Sequence, residues 1–309
     1  MNRCLFTYEP LGKKQYSEQG LKKLNKRLEN LKLFPYDHKE QIKEVQKHAG
    51  KISIQGAQPK LSAKLSVKDE NFILVEKDGE FIIKPQVFDY PELPQNEDLT
   101  MHLSCLAGFT TPWHGLIKAK DNSFLYVIKR FDRLSKNQKI PQEDFAQLMG
   151  ATRSTKYSAN MERVCEVIEE FTSFPTLELE KIFKLTLFSF LVGNEDMHLK
   201  NISIQTTQKG VRQLTPVYDL LNTTIAMASA EEEMALELNE KKRKFNKKDF
   251  IEYFGPNCCY LKKSEGEKIL NDLLKLIPIF DKWIENSFLS VEMKFKYKAL
   301  IKERGVRLS

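Results

Sequence analysis

Apolar residues recur along this chain at two different periods, and the change of period marks out its parts. Residues 16–33, YSEQGLKKLNKRLENLKL, place Leu21, Leu24, Leu28 and Leu31 at helical spacing with lysines between them. That spacing predicts an amphipathic helix. From Ile52 the pattern turns to strands. NFILVEKDGEFIIKP is two apolar runs around Asp78-Gly79, the pattern of a hairpin. NEDLTMHLSCLAG reads as a helix stopping at Gly108, and FLYVIKRFDR as a buried strand running into a charged segment. Residues from about 50 to 130 are therefore expected to form a small, sheet-rich lobe with one helix.

After Arg133 the helical period dominates. MERVCEVIEEFTSF and LELEKIFKLTLFSFLV both carry it. The charged stretch 230–248, AEEEMALELNEKKRKFNKK, reads as an exposed loop. SEGEKILNDLLKLIPIFDKWIEN opens with a capping-box pattern, Ser264 to Glu267. A last helix is expected over about 289–304. The layout is α+β with two lobes: a short helical segment over 1–50, a sheet-rich N-lobe over 51–133 and a helical C-lobe over 134–309.

Composition narrows the class. The 309 residues are 41% hydrophobic, enough for a sizeable core. A net charge of +7 permits contact with nucleic acid but is too mild to require it. The run KKRK at 241–244 reads as a solvated face. Five scattered cysteines with no CxxC pair point to neither a disulfide framework nor a zinc site, and favour a reducing compartment. No apolar run reaches the roughly 18 residues of a membrane span, and the N-terminus lacks a signal-peptide core. The expectation is a cytoplasmic bacterial protein with no membrane contact. An effector delivered by a dedicated secretion machine has the same composition.

Chemistry concentrates in LVGNEDMHLKNISIQ, where an apolar run halts at Gly193 and six polar groups follow within eight residues. Asp196 and Asn201 stand as D-x-x-x-x-N. A strand, a turn at Lys209-Gly210 and a returning strand then lead to Tyr218-Asp219. A carboxylate, an amide five residues on and a second carboxylate beyond a hairpin are the parts of protein-kinase phosphoryl transfer. One carboxylate accepts the proton of the attacking hydroxyl, while the amide and the other carboxylate hold magnesium. Hard oxygen ligands suit Mg²⁺. Upstream, Lys84 ends the strand FIIK, where it could reach the phosphates of ATP. Glu97 on the next helix is a candidate ion-pair partner. KISIQGAQPK, 51–60, has one glycine, small residues and two lysines, and could cover phosphates with backbone N–H groups. Taken singly, each of these has a bland role: a helix cap, a solvated strand end, a first-turn charge.

Seven motifs in order carry a resemblance: SIQGAQPKL, FIIKP, NEDLTM, VIKRFDR, QEDFAQLMG, NEDMHLKN and LTPVYDL, spanning about 50–220. The chain resembles the HipA-type serine/threonine kinases, toxins of bacterial toxin–antitoxin systems, and is closest to the short HipT branch. The resemblance implies a two-lobe, protein-kinase-like (HipA-like) fold. It makes Asp196 the catalytic base, and Asn201 and Asp219 the magnesium ligands. Lys84 would contact the ATP phosphates, with His198, Lys200 and Tyr218 beside the nucleotide. Lys129, Arg130 and Phe131 would form the hinge that meets adenine through backbone groups. Gln55, Gly56, Ala57, Gln58 and Lys60 would belong to the phosphate-covering loop. Ser53 matches a serine that these kinases autophosphorylate, which expels the loop. Two departures stand out. Lys129 replaces a frequent glutamate, and Gln55 replaces the second serine of the HipT pair, leaving one obvious site.

The resemblance further implies a protein substrate in translation, such as an aminoacyl-tRNA synthetase. It implies a HipB-like DNA-binding antitoxin, so that any DNA contact is indirect. The 52 residues before Ser53 are fewer than the N-terminal subdomain of long HipA kinases. A small HipS-like partner standing in for that subdomain is therefore expected. The competing reading is a pseudokinase acting only as a binding component of a repressor complex. The presence of every candidate catalytic group counts against it.

Overall fold

The computed structural model describes residues 2–48, 59–135, 138–152, 154–227 and 232–309. Ser53, Gln55, Gly56, Ala57 and Gln58 lie outside the described residues. The chain divides into two compact units. The first comprises Met1–Leu99, Pro112–Gln138 and Asn286–Leu289; the second comprises Thr100–Thr111, Lys139–Glu285 and Ser290–Ser309.

The first unit is built on five antiparallel strands: β1 (Leu61–Ser66), β2 (Asn71–Leu74), β3 (Phe81–Pro85), β4 (His114–Lys118) and β5 (Phe124–Lys129). Their order in the sheet is β2-β1-β3-β5-β4. Alternation along β1 and β3 buries Leu61, Ala63, Phe81 and Ile83 on one face. The hairpin expected around Asp78-Gly79 is not formed, because β1 lies between its two arms. The turn itself is real, with Asp78 in the left-handed region at φ 56°. The N–H groups on either side of it, those of Val75 and Glu80, both donate to β1 carbonyls, at 2.9 Å each. A side chain at Gly79 would collide with Ser62, so the turn needs glycine where it runs against β1.

The helix expected over 16–33 is also shorter. It spans α1 (Glu18–Leu24), N-capped by Ser17 and ended by Asn25 in an extended conformation. Past Asn25 the backbone bonds to other segments instead of continuing the helix. The Lys32 N–H donates to the Glu70 carbonyl, and Phe34 pairs in parallel with Ala119. Leu21, Leu24, Leu28 and Leu31 are nevertheless all buried, in one core with Phe34, Phe72, Phe81 and Val127. Their spacing records burial correctly; only its helical cause fails past residue 24.

Helix α2 (His38–His48) belongs to the first unit, and α3 (Leu93–Leu106) begins in it and ends in the second. The second unit is mainly helical. Its centre is α4 (Pro175–Val192), with Pro at N1 and almost every residue from Leu185 onward buried. A helix buried on all sides must be apolar all round, which is what LTLFSFLV is. Met161–Phe171, capped by Asn160, packs against it. The stretch SEGEKILNDLLKLIPIFDKWIEN forms two helices, Lys263–Leu274 and Ile277–Asn286, because Pro278 has no N–H with which to continue the first. Its first turn is closed by Glu265 accepting from the Lys262 N–H at 2.8 Å, while Ser264 is already helical. The last helix, α5, is Val291–Leu308.

The stretch 230–248 is no exposed excursion where it is described. Met234, Ala235, Leu236, Leu238 and Phe245 are buried. Phe245 packs on Phe190 and Phe250, with ring centroids 6.2 and 5.8 Å away. Charge density in the stretch hid an apolar residue at every point where it touches the core. Lys241 of the basic run is ion-paired with Asp249.

Candidate active site

In the first unit the candidate groups sit on β3, α3 and the end of β5. Lys84 pairs across the sheet with Tyr126, and its side chain is buried. Its Nζ lies 2.6 Å from Glu97 Oε1 and 5.7 Å from the Tyr126 ring centroid. Glu97 is fully buried on α3. Removing both charges from water costs several kcal/mol for each ion, on the order of what their attraction returns. The pair therefore fixes an orientation more than it adds stability.

The segment after β5 is tied down by its neighbours. The N–H groups of Lys129 and Arg130 donate to the carbonyls of Trp113 and Glu80, at 2.8 Å each. The Arg130 guanidinium grips Asp132 through two bonds of 2.9 and 2.7 Å, and Arg133 joins the same carboxylate. Burial pushes the Asp132 carboxyl up. The hydrogen bonds and charge of the two arginines outweigh burial and hold it below the usual carboxylate range. Any adenine contact in Lys129–Phe131 thus falls to groups other than these two N–H donors. Lys60 is exposed just before β1.

In the second unit, α4 ends at Gly193, whose left-handed φ of 76° turns the chain into the polar stretch. A Cβ at this position would press on Leu300, Asn222 and Thr224. The loop beyond is supported from beneath. Glu195 pairs with Arg304 of α5 at 2.6 Å and with Thr224 at 2.7 Å, and its N–H donates to Thr223. Arg304 also donates to the Phe190 carbonyl and is buried. Burial pushes the Glu195 carboxyl up, against the opposing pull of Thr224 and Arg304. None of Glu195, Thr223, Thr224 or Arg304 was expected at the site. The one signal for Arg304 was a basic residue on the apolar face of the last helix.

Asp196, His198 and Asn201 then fold into one compact turn. The Asp196 main-chain carbonyl accepts from the His198 N–H at 2.9 Å and from Asn201 Nδ2 at 2.8 Å. The Asn201 amide nitrogen is thereby committed inward, and Oδ1 becomes the end able to bind a cation. The Asp196 side chain is 43% exposed. His198 Nδ1 accepts from the Lys200 N–H at 3.3 Å, which leaves the ring proton on Nε2, 4.0 Å from Asp196 Oδ2. Burial lowers the His198 pKa more than Asp196 raises it, so the ring is neutral near pH 7.

The hairpin after Asn201 forms as expected. Strand β6 (Ser203–Thr206) pairs with β7 (Arg212–Leu214), turning through Gly210 at φ 78°. The pairing continues with the Thr215 N–H on the Ser203 carbonyl. The Tyr218 hydroxyl then meets the Lys200 carbonyl at 3.0 Å and Ser203 Oγ at 2.6 Å. Tyr218 thus braces the loop that carries Asp196 and Asn201. Asp219 follows in the left-handed region at φ 59°, an uncommon conformation for a residue other than glycine. Its charge acts on His198, as do those of Asp196 and Lys156, so these four residues form one electrostatic group. The exposed Lys200 lies at its edge. Asn201 and Asp219 carry hard oxygens, the donor type that suits a divalent cation, and the Asn201 amide nitrogen is occupied by the Asp196 carbonyl.

Comparison with known proteins gives the lineage. The HipA-like C-terminal domain family matches residues 52–278. A Haemophilus influenzae protein named "Putative kinase" is 32% identical over 243 residues, covering 72% of this chain and 69% of that protein. The serine/threonine-protein kinase toxin HipA of Shewanella oneidensis is 28% identical over 214 residues, 62% of this chain but only 47% of HipA. Among solved structures, HipA in the Shewanella oneidensis complex of HipA, HipB and operator DNA superposes with a TM-score of 0.73 at 20% identity. That match covers 91% of this chain and 72% of the other. The likeness shows the fold to be α+β and two-lobe, with a small sheet-rich lobe and a helical one. By the extent of the family match, the chain belongs to the HipA-like C-terminal domain family.

Proposed function

We propose that the chain is an ATP- and Mg²⁺-dependent serine/threonine protein kinase, and the toxin of a toxin–antitoxin system. The observation that carries this reading is the turn in which Asn201 Nδ2 locks onto the Asp196 carbonyl at 2.8 Å. It leaves a half-exposed carboxylate and an outward amide oxygen on one loop. Asp196 takes the proton of the acceptor hydroxyl as its oxygen bonds to the γ-phosphorus, and the bond to the β-phosphate oxygen breaks to release ADP. Asn201 and Asp219 hold the magnesium, which when bound neutralises phosphate charge. Lys84, oriented by Glu97, serves the phosphates. Lys60, Lys129, Arg130, Phe131, His198, Lys200 and Tyr218 are the further nucleotide-side residues, with Tyr218 acting through Lys200.

The regulatory part of the proposal rests on family likeness. Ser53 is an autophosphorylation site whose added charge, about −1.5 to −2, opposes the phosphates of ATP. Gln55, Gly56, Ala57 and Gln58 cover those phosphates. A HipB-like antitoxin binds the chain and supplies the DNA contact, a role supported by the complex in which HipA was solved. A small HipS-like protein is a second partner, as in the HipT branch. The substrate is a protein of translation, of which an aminoacyl-tRNA synthetase is the leading class. The test is phosphoproteomics after induced expression, wild type beside Asp196→Asn. A serine or threonine site modified only by the wild type is expected. Identical phosphoproteomes, with no label taken from [γ-³²P]ATP by purified wild type, would sink the kinase reading.

A further inference from the structure

Asp196 is held by its main chain, yet its backbone bonds leave the carboxylate free to rotate. Among the described residues, one side chain restrains it through a hydrogen bond. Tyr157 donates its hydroxyl to Asp196 Oδ1 at 2.7 Å. Tyr157 stands in the segment between Gly150 and the helix Met161–Phe171, far from the D-x-x-x-x-N motif in sequence. That segment is pinned at several points. The Thr152 N–H donates to Thr155 Oγ1 at 2.8 Å, and the Ser158 N–H to the Thr155 carbonyl at 3.0 Å. Asn160 caps the helix that follows. The Lys156 carbonyl receives the Leu199 N–H at 3.4 Å, docking the segment on the catalytic loop itself. The Tyr157 ring meets His198 edge-on, 5.2 Å between centroids, and carries Lys156 Nζ over its face at 4.6 Å.

We propose that Tyr157 is the positioning residue for the base: its hydroxyl holds Oδ1 so that Oδ2 is presented to the acceptor hydroxyl. This rests on the kinase reading and adds to it a residue on a different element. Two features favour positioning over a plug that mimics substrate. Tyr157 engages one carboxylate oxygen only, and the Asp196 side chain stays 43% exposed with Tyr157 in place. His198 Nε2, at 4.0 Å from Oδ2, is too distant to hold that oxygen. The hydroxyl is a lasting donor, because burial first and Asp196 second push its pKa above the ordinary tyrosine range.

The test is Tyr157→Phe in the full chain, with transfer from [γ-³²P]ATP as readout. The ring, its packing on His198 and its contact with Lys156 all remain. Loss of one hydrogen bond to a charged acceptor predicts a fall in kcat of about tenfold with KM for ATP unchanged. A second readout needs no turnover. With 3-fluorotyrosine at position 157, the ¹⁹F resonance is expected to move when Asp196→Asn is introduced. A variant as fast as wild type overturns the proposal, and so does an unmoved resonance. A faster variant also overturns it, because that is the behaviour of a plug. A wild type that transfers no phosphate, yet shows the ¹⁹F shift, removes the kinase reading and the positioning role with it.

Discussion

The two units hold their ionisable groups in opposite ways. In the first, Lys84 and Glu97 are both buried, on a strand and a helix, with side chains 4% and 0% exposed. In the second, Asp196 sits on a loop with its side chain 43% exposed. A buried pair of the second unit lies one step away, in Arg304 and Glu195 beneath that loop. In both units the groups that orient are desolvated, while Asp196, the group proposed to react, stays in contact with solvent. A desolvated pair has one low-energy arrangement, so it transmits the geometry of the fold to whatever it touches. An exposed carboxylate keeps its charge without folding having to stabilise it. The contrast makes a graded forecast for stability, with damage greatest at Lys84 and least at Asp196.

The largest effect belongs to Lys84→Met. It leaves the Glu97 carboxylate in a buried site without its ammonium, which is expected to cost about 3–5 kcal/mol of unfolding free energy. Urea unfolding followed by circular dichroism measures this. The double variant Lys84→Met with Glu97→Leu should be more stable than Lys84→Met alone, since the buried carboxylate is removed together with its ammonium. A single variant as stable as wild type would show that the pair is solvated and would dissolve the contrast.

Gly193→Ala comes next. The residue must take φ 76°, and the new methyl would approach Asn222 Oδ1 at 2.6 Å and Thr224 Oγ1 at 2.8 Å. Left-handed strain and overpacking together predict a loss of about 2–4 kcal/mol, with transfer activity lost as the loop shifts. Retention of both activity and stability would mean that the loop is not set by the end of α4.

These two positions also show how far the sequence can be read. Gly193 was legible, because an apolar run halting at glycine before polar residues signals a helix end. The pairing of Lys84 with Glu97 was legible too, as a candidate ion pair that the structure forms at 2.6 Å, whereas the roles of Asp196, Asn201 and Asp219 are proposed from their motif positions. Tyr157, Glu195, Thr224 and Arg304 were not legible. Their partners lie 39, 109, 29 and 109 residues away, and no local period encodes a contact over such a separation. The strand arrangement failed for a related reason. Asp78-Gly79 encodes a turn, but only the registers of β1 with β2 and with β3 reveal which strand lies between its arms. The stretch 230–248 misled because its charges outnumber its apolar residues, although those residues reach the core.

A smaller effect is expected at that stretch. Arg307 binds Glu233 through bonds of 2.7 and 2.8 Å, and the Phe245 N–H donates to the same carboxylate at 3.0 Å. Burial raises the Glu233 pKa, but Arg307 and Phe245 outweigh it and hold the carboxyl below its ordinary 4.5. A depressed folded-state pKa contributes stability that is complete above about 4.5 and is lost as pH falls through the lower folded value. Glu233→Gln is therefore expected to cost about 1 kcal/mol at pH 7 and to narrow the gap to wild type below pH 4.5. Thermal unfolding of both proteins across pH 3–7 reads the gap. A gap constant over that range would show that Glu233 is held by packing and not by charge.

The smallest effect on stability is expected where the effect on chemistry is greatest. Asp196→Asn keeps the volume of the side chain, and its amide oxygen can still accept from Tyr157. The carboxylate it replaces is half in water, where an ion is solvated whether or not the protein is folded. The expected change in unfolding free energy is within about 0.5 kcal/mol. Phosphoryl transfer should fall about 10²–10⁴-fold, because an amide cannot take the acceptor proton, while binding of ATP with Mg²⁺ persists. Urea unfolding, calorimetric nucleotide binding and transfer from [γ-³²P]ATP measure the three quantities on one preparation. A loss of more than about 1 kcal/mol would mean that Asp196 orients the loop as Glu195 does. The separation of orienting from reacting groups would then fail.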